Sequence, residues 1–173
     1  MASRRQLSSV VSRIGQWHTA ATDLFLSVTA EASGVGVQDE CLRVYEEVKM
    51  GHRWLYVIFK VSEDLLRIVV EEKGGHDKTY YDFVEKLKEA EKMRQCRYAI
   101  FDVRFMQNDV PQEKLAFFLW SPGNATIKQK MLYASSKQAL RNQMRGIHAE
   151  IQCTDDADLA MSNVLERLMR KYT

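Results

Sequence analysis

The sequence predicts a mixed α/β (α+β) domain: a central mixed five-stranded sheet flanked by helices on both faces. Runs such as WLYVIFKV (residues 54–61), CRYAIFDVRF (96–105) and KLAFFLW (114–120) are dense in β-branched and aromatic residues, the composition of buried strands. Segments with apolar residues at helical spacing stand between these runs. Strands this apolar on both sides of their alternation need cover on both faces, which the helices supply.

The first 32 residues differ from the rest. Before Asp23 come three arginines (Arg4, Arg5, Arg13), four serines and no acid, while Leu7, Val10, Val11, Ile14 and Trp17 follow helical spacing. Residues 1–32 therefore read as an N-terminal extension, either flexible or a targeting segment similar to an organelle transit peptide. Residues 33–173 read as the ordered domain.

Val37, Cys41, Val44, Tyr45 and Val48 predict the first amphipathic helix, stopped near Gly51. Residues 54–61 form a strand, and LLRIVVEE (65–72) follows the polar SED turn as the second arm of a hairpin. KGGHDKT (73–79) is a loop. Tyr80, Phe83, Val84, Leu87 and Ala90 mark a second helix. Residues 96–105 make a third strand, MQNDVPQE (106–113) a polar connection, and residues 114–120 a fourth strand. Pro122 and Gly123 turn the chain into a basic helix. HAEIQC (148–153) is a short fifth strand. A last helix carries Met161, Val164, Leu165, Leu168 and Met169 on one face and Glu166, Arg167 and Arg170 on the other.

Several function classes drop out. Lys and Arg total 25 against 23 Asp and Glu, a net charge of +2, so no strongly basic nucleic-acid-binding domain is present. The three cysteines are far apart with no CxxC pair, which fits buried free thiols. The four histidines show no metal-ligand spacing. No GK[ST] follows Gly74–Gly75 and no GxSxG elbow exists. The expectation is a protein that is not an enzyme and carries no metal or cofactor.

The exceptional stretch is TIKQKMLYASSKQALRNQMR (126–145), with Lys128, Lys130, Lys137, Arg141 and Arg145 and no acid. On a helical wheel Lys130, Lys137, Arg141 and Arg145 share one face. Ile127, Met131 and Ala134 lie elsewhere, available to a core, and Tyr133, Ser135 and Ser136 are expected to disturb the helix. A surface helix usually mixes both signs, so this stretch reads either as a solvated helical face or as a docking face for an acidic partner.

The combination resembles the actin-depolymerising factor/cofilin family, and is closest in tone to its plant members. SGVGVQDEC (33–41) is similar to the family's N-terminal segment and first helix. The three dense runs are similar to its core strands, in order. IKQKMLYASSKQALR (127–141) resembles its long actin-binding helix, and GIHAEIQCTD (146–155) the entry to its last strand and helix. The resemblance implies an ADF-homology, gelsolin-like domain that binds monomeric and filamentous actin, prefers the ADP form, alters filament twist, severs filaments and promotes depolymerisation.

The same resemblance implies site residues. Lys128, Lys130 and Met131, with Ser33, Gly34 and Val35, correspond to contacts made with both monomer and filament. Lys114, Glu166, Arg167 and Arg170 correspond to filament-side contacts. Ser33 corresponds to a regulatory phosphorylation site, phosphoinositides to competing ligands, and the protein to a monomer of the cytoplasmic actin cytoskeleton. Two alternatives share this reading's surfaces: a glia-maturation-factor-like binder of the actin-related branching complex, and a phosphoinositide-binding surface module. The KxKMxYASSK form of the long helix favours actin. His148 sits one position before the family's pH-sensing histidine, so no pH switch is expected from it.

Overall fold

The computed structural model describes residues 34–170. The reading of residues 1–32 as an extension, and Ser33, lie outside the described residues. In chain order the elements are β1 (Gly36–Val37), α1 (Asp39–Lys49), β2 (Tyr56–Val61), β3 (Arg67–Gly74) and α2 (Tyr80–Lys92). Then come β4 (Arg97–Gln107), β5 (Val110–Trp120), α3 (Ile127–Gln143), β6 (Ala149–Cys153) and α4 (Met161–Met169).

Among the described residues six strands form one sheet, in the order β1-β3-β2-β4-β5-β6. The outer pairs β1–β3 and β5–β6 are parallel and the inner pairs antiparallel. The sheet is mixed, as expected, but has one strand more than the five predicted. The extra strand is β1, where Gly36 N–H donates to the Leu66 carbonyl and Gln38 N–H to the Ile68 carbonyl. Two residues are too few to show a period, so the helical spacing takes in Val37 although the helix begins at Asp39.

Strand alternation sorts the core into two layers. On one face Val57, Phe59, Tyr98, Ile100, Leu115, Phe117 and Leu119 meet Cys41, Val44, Tyr45 and Val48 of α1 and Tyr133 and Leu140 of α3. On the other face Tyr56, Ile58, Ala99, Phe101, Phe118 and Trp120 meet Phe83 and Leu87 of α2 and Val164 and Leu168 of α4. Helices thus cover both faces. The inner strands are buried on both sides, which is why they read as unbroken apolar runs.

Local chemistry sets the ends. Thr79 caps α2 in a reciprocal box with Asp82. Asp64 accepts from the Leu66 amide, and Leu65 sits at φ 62°, so Leu65 and Leu66 belong to the turn and β3 begins at Arg67. The 106–113 connection is also corrected. β4 and β5 remain paired out to Gln107 and Val110, and Asn108 and Asp109, at φ 51° and 63°, make the turn alone. This outer ladder is polar because it projects past the covering helices. Pro111 is tolerated there because β6 pairs with β5 only from Ala116 onward.

The cysteines are buried free thiols, and burial pushes Cys41 and Cys153 up to about 12. No helix among the described residues is long and apolar enough to cross a membrane.

Candidate functional site

Helix α3 is bolted to the sheet by polar contacts as much as by apolar ones. Thr126 caps it by accepting from the Gln129 amide at 3.2 Å. Gln129 Oε1 accepts from the Cys96 amide. The Tyr133 hydroxyl accepts from the Val61 amide at 2.9 Å, and the Tyr98 hydroxyl donates to the Tyr133 carbonyl. The helix runs unbroken for 17 residues, so Tyr133, Ser135 and Ser136 do not disturb it. Both serine hydroxyls donate to the Leu132 carbonyl and so stay within the helical frame.

The burial pattern reverses part of the helical-wheel reading. The inward face is Tyr133, Ser136 and Leu140. Ile127 and Met131 are 76% and 67% exposed, and Ala134 is exposed as well. They form an outward apolar strip that is not part of the core. The wheel misassigned them because buried Tyr and Ser occupy positions where large aliphatics were expected.

Around this strip the cations divide. Lys128 is exposed and makes no ion pair among the described residues. Lys130 Nζ donates to the Gly123 carbonyl at 2.9 Å, which holds its ammonium at the N-terminal end of the helix. Lys137 and Arg141 share Glu150 of β6, at 3.3 and 2.7 Å. The sequence hid this, because Glu150 lies outside the basic stretch. Arg145 is exposed. Uncompensated charge therefore concentrates at the N-terminal end of α3, beside Ile127 and Met131.

Gly34 is exposed at φ 70°, whereas Val35 is 2% exposed and belongs to the core. Val35 fixes where Gly34 emerges but does not present its own side chain.

The other predicted cluster gathers at the C-terminal end of α4, on the opposite face of the sheet. Lys114 Nζ donates to the Leu168 carbonyl at 2.9 Å, placing a cation at the negative end of the helix dipole. Its ammonium also lies 5.6 Å from the Phe105 ring centroid. Glu166 and Arg170 pair at 2.6 Å, and both are well exposed, as is Arg167. The Arg170 guanidinium holds the Glu166 carboxyl below the usual range. Thus Lys114, distant in sequence, joins the end of the helix that carries Glu166, Arg167 and Arg170, while Arg167 lines a pocket toward Lys137 and Glu150 at the β6 edge.

Comparison with known proteins identifies the family. The profile of the family described as cofilin/tropomyosin-type actin-binding protein matches residues 34–169. The chain belongs to that family. It is 42% identical to actophorin of Acanthamoeba castellanii over 135 residues, covering 78% of this chain and 95% of the relative. It is also 42% identical to the cofilin of Schizosaccharomyces pombe, covering 80% and 98%. The crystal structure of Streptomyces griseoflavus cofilin superposes with a TM-score of 0.72 at 36% identity, covering 80% of this chain and all of that one.

One further cluster had no sequence signal. His52, from the loop after α1, meets Asp102 and Arg104 of β4 and Glu113 of β5. Their spacing along the chain shows no pattern, and only the β4–β5 register brings them together. Burial pushes the Asp102 carboxyl up to about 6, helped by its neighbour Glu113.

Proposed function

We propose that this chain binds monomeric and filamentous actin and promotes filament disassembly. The observation that carries the reading is the outward strip of Ile127 and Met131, flanked by Lys128 and Lys130 on a helix locked to the sheet. Exposed large apolar groups beside unpaired cations suit a partner that offers an apolar cleft with an acidic rim. Actin is named as the partner by the family to which the chain belongs.

In this reading residues 33–173 are the actin-binding domain and residues 1–32 an extension to it. Lys128, Lys130, Met131, Ser33 and Gly34 contact one actin subunit, with Val35 positioning that segment. Lys114, Glu166, Arg167 and Arg170 contact a second subunit within the filament. Tighter binding to the ADP form and to a twisted filament state shifts the filament toward that state, and severing follows at its boundaries. No bond chemistry is required. A phosphate on Ser33 would add nearly two negative charges and repel an acidic partner. Phosphoinositides would compete for the basic end of α3, and the protein would act as a monomer in the cytoplasmic actin cytoskeleton.

Co-sedimentation of the full chain with actin filaments tests the reading. The expected result is protein in the pellet together with actin moved to the supernatant. A chain that neither pellets nor releases actin would overturn it.

A further inference from the structure

We infer that His52, Asp102 and Glu113 form a zinc-class divalent cation site, with Arg104 as its built-in competitor. His52 Nδ1 lies 3.0 Å from Glu113 Oε1 and 3.9 Å from Asp102 Oδ2. One ligand atom from each of the three residues lies within 4.8 Å of the others. Ligand atoms about 2.1 Å from a tetrahedral zinc stand about 3.4 Å apart, so the His52–Glu113 pair opens slightly and the His52–Asp102 pair closes slightly to complete the site. An imidazole and two carboxylates, with a fourth position open to water, is a donor set this metal accepts.

A second observation points the same way. Asp102 is 1% exposed, and its Oδ1 has no hydrogen-bond partner. A buried carboxylate oxygen without a donor is costly; the cluster-facing oxygen is Oδ2, and a cation taken by both Asp102 oxygens would relieve Oδ1 as well. The present cation is Arg104, whose guanidinium lies 3.0 Å from Asp102 Oδ2 and 2.8 Å from Glu113 Oε1. Its side chain is 51% exposed, so it can swing into solvent and give up this place.

Entry of the metal is balanced without a redox step. The Nδ1 lone pair goes to zinc, the imidazole proton is carried on Nε2, and the carboxylates bind as anions. The backbone carbonyl of His52 is already fixed by His76 Nε2, which limits how far the ring can drift. Bound metal would tie the α1–β2 loop to the base of the β4–β5 hairpin.

Isothermal titration of the full chain with zinc chloride near neutral pH is the test. The expected result is saturable one-to-one binding, weakened in His52→Gln and in Glu113→Gln by at least the roughly 10–100-fold that losing an outer-sphere partner costs. Arg104→Gln should bind about tenfold more tightly, because it removes the competing charge. His52→Gln changes a half-exposed loop residue, so its fold can be checked by circular dichroism without metal. No saturable binding by the wild-type chain overturns the inference. So does binding that His52→Gln leaves unchanged, since the metal would then sit elsewhere.

Discussion

The Tyr133 hydroxyl accepts a hydrogen bond from the Val61 amide, joining the middle of α3 to the end of β2 across 72 residues of sequence. Both groups are buried, so no water replaces either partner easily. Tyr133→Phe keeps the ring and leaves the Val61 N–H unsatisfied. The expected loss is about 1–3 kcal/mol of folding stability. Urea unfolding should show a lower midpoint at unchanged slope. An unmoved midpoint would mean that the amide finds another acceptor.

Lys128 and Lys130 flank the exposed strip, and neither is held by a carboxylate among the described residues. Replacing both with Ala should weaken monomer and filament binding together, by about tenfold or more. Fluorescence titration of labelled monomer and filament pelleting read the two affinities. Equal affinities in variant and wild type would remove α3 from the contact.

Arg167 and Arg170 are carried by α4, the helix that covers the opposite face of the sheet from α3, and Arg167 reaches the β6 edge near Lys137. The double Ala variant should lower filament binding while monomer binding stays within about twofold. This pair is a cleaner probe than Lys114, because Lys114 also secures the Leu168 carbonyl and its loss would disturb α4. If monomer binding falls as far as filament binding, the two-surface assignment is wrong.

His148 Nδ1 accepts from the Leu115 amide at 3.0 Å, which requires the ring to be neutral. Burial, and then the nearby Lys114 ammonium, hold it below the ordinary value of 6.5. A lowered histidine value means that the unfolded chain takes up the proton first. The stability His148 contributes is therefore complete above pH 6.5 and is lost as pH falls through the lower folded-state value. Urea midpoints at about pH 7.5 and about pH 5 should differ more in the wild type than in His148→Gln. Equal differences would show that the ring does not take part. The effect is one of stability, and the sequence argument against a functional switch at this position is not altered by it.

The residues differ in how much they showed beforehand. Strands β2, β4 and β5 were legible because their side chains are buried on both faces and so form continuous apolar runs. Strand β1 was not, because two residues carry no period and its hydrogen bonds depend on where β3 lies. The lower half of the β4–β5 hairpin was read as a connection because it leaves the covering helices and turns polar. The basic stretch was legible as charge, but its partner Glu150 and the inward use of Ser136 depend on tertiary packing. The His52 cluster was invisible for the same reason: its members meet only when a loop and two strands are folded together.

The sheet itself has a mechanical consequence. The two proposed contact regions sit on opposite faces and are joined through the β4–β5 ladder, which pairs without interruption from Arg97–Trp120 to Gln107–Val110. No hinge lies within that ladder, so the separation and angle between the regions are set when the chain folds. A molecule built this way works as a gauge. On the proposed function, two subunits at another spacing would have to come to its spacing, and the lattice would carry the misfit.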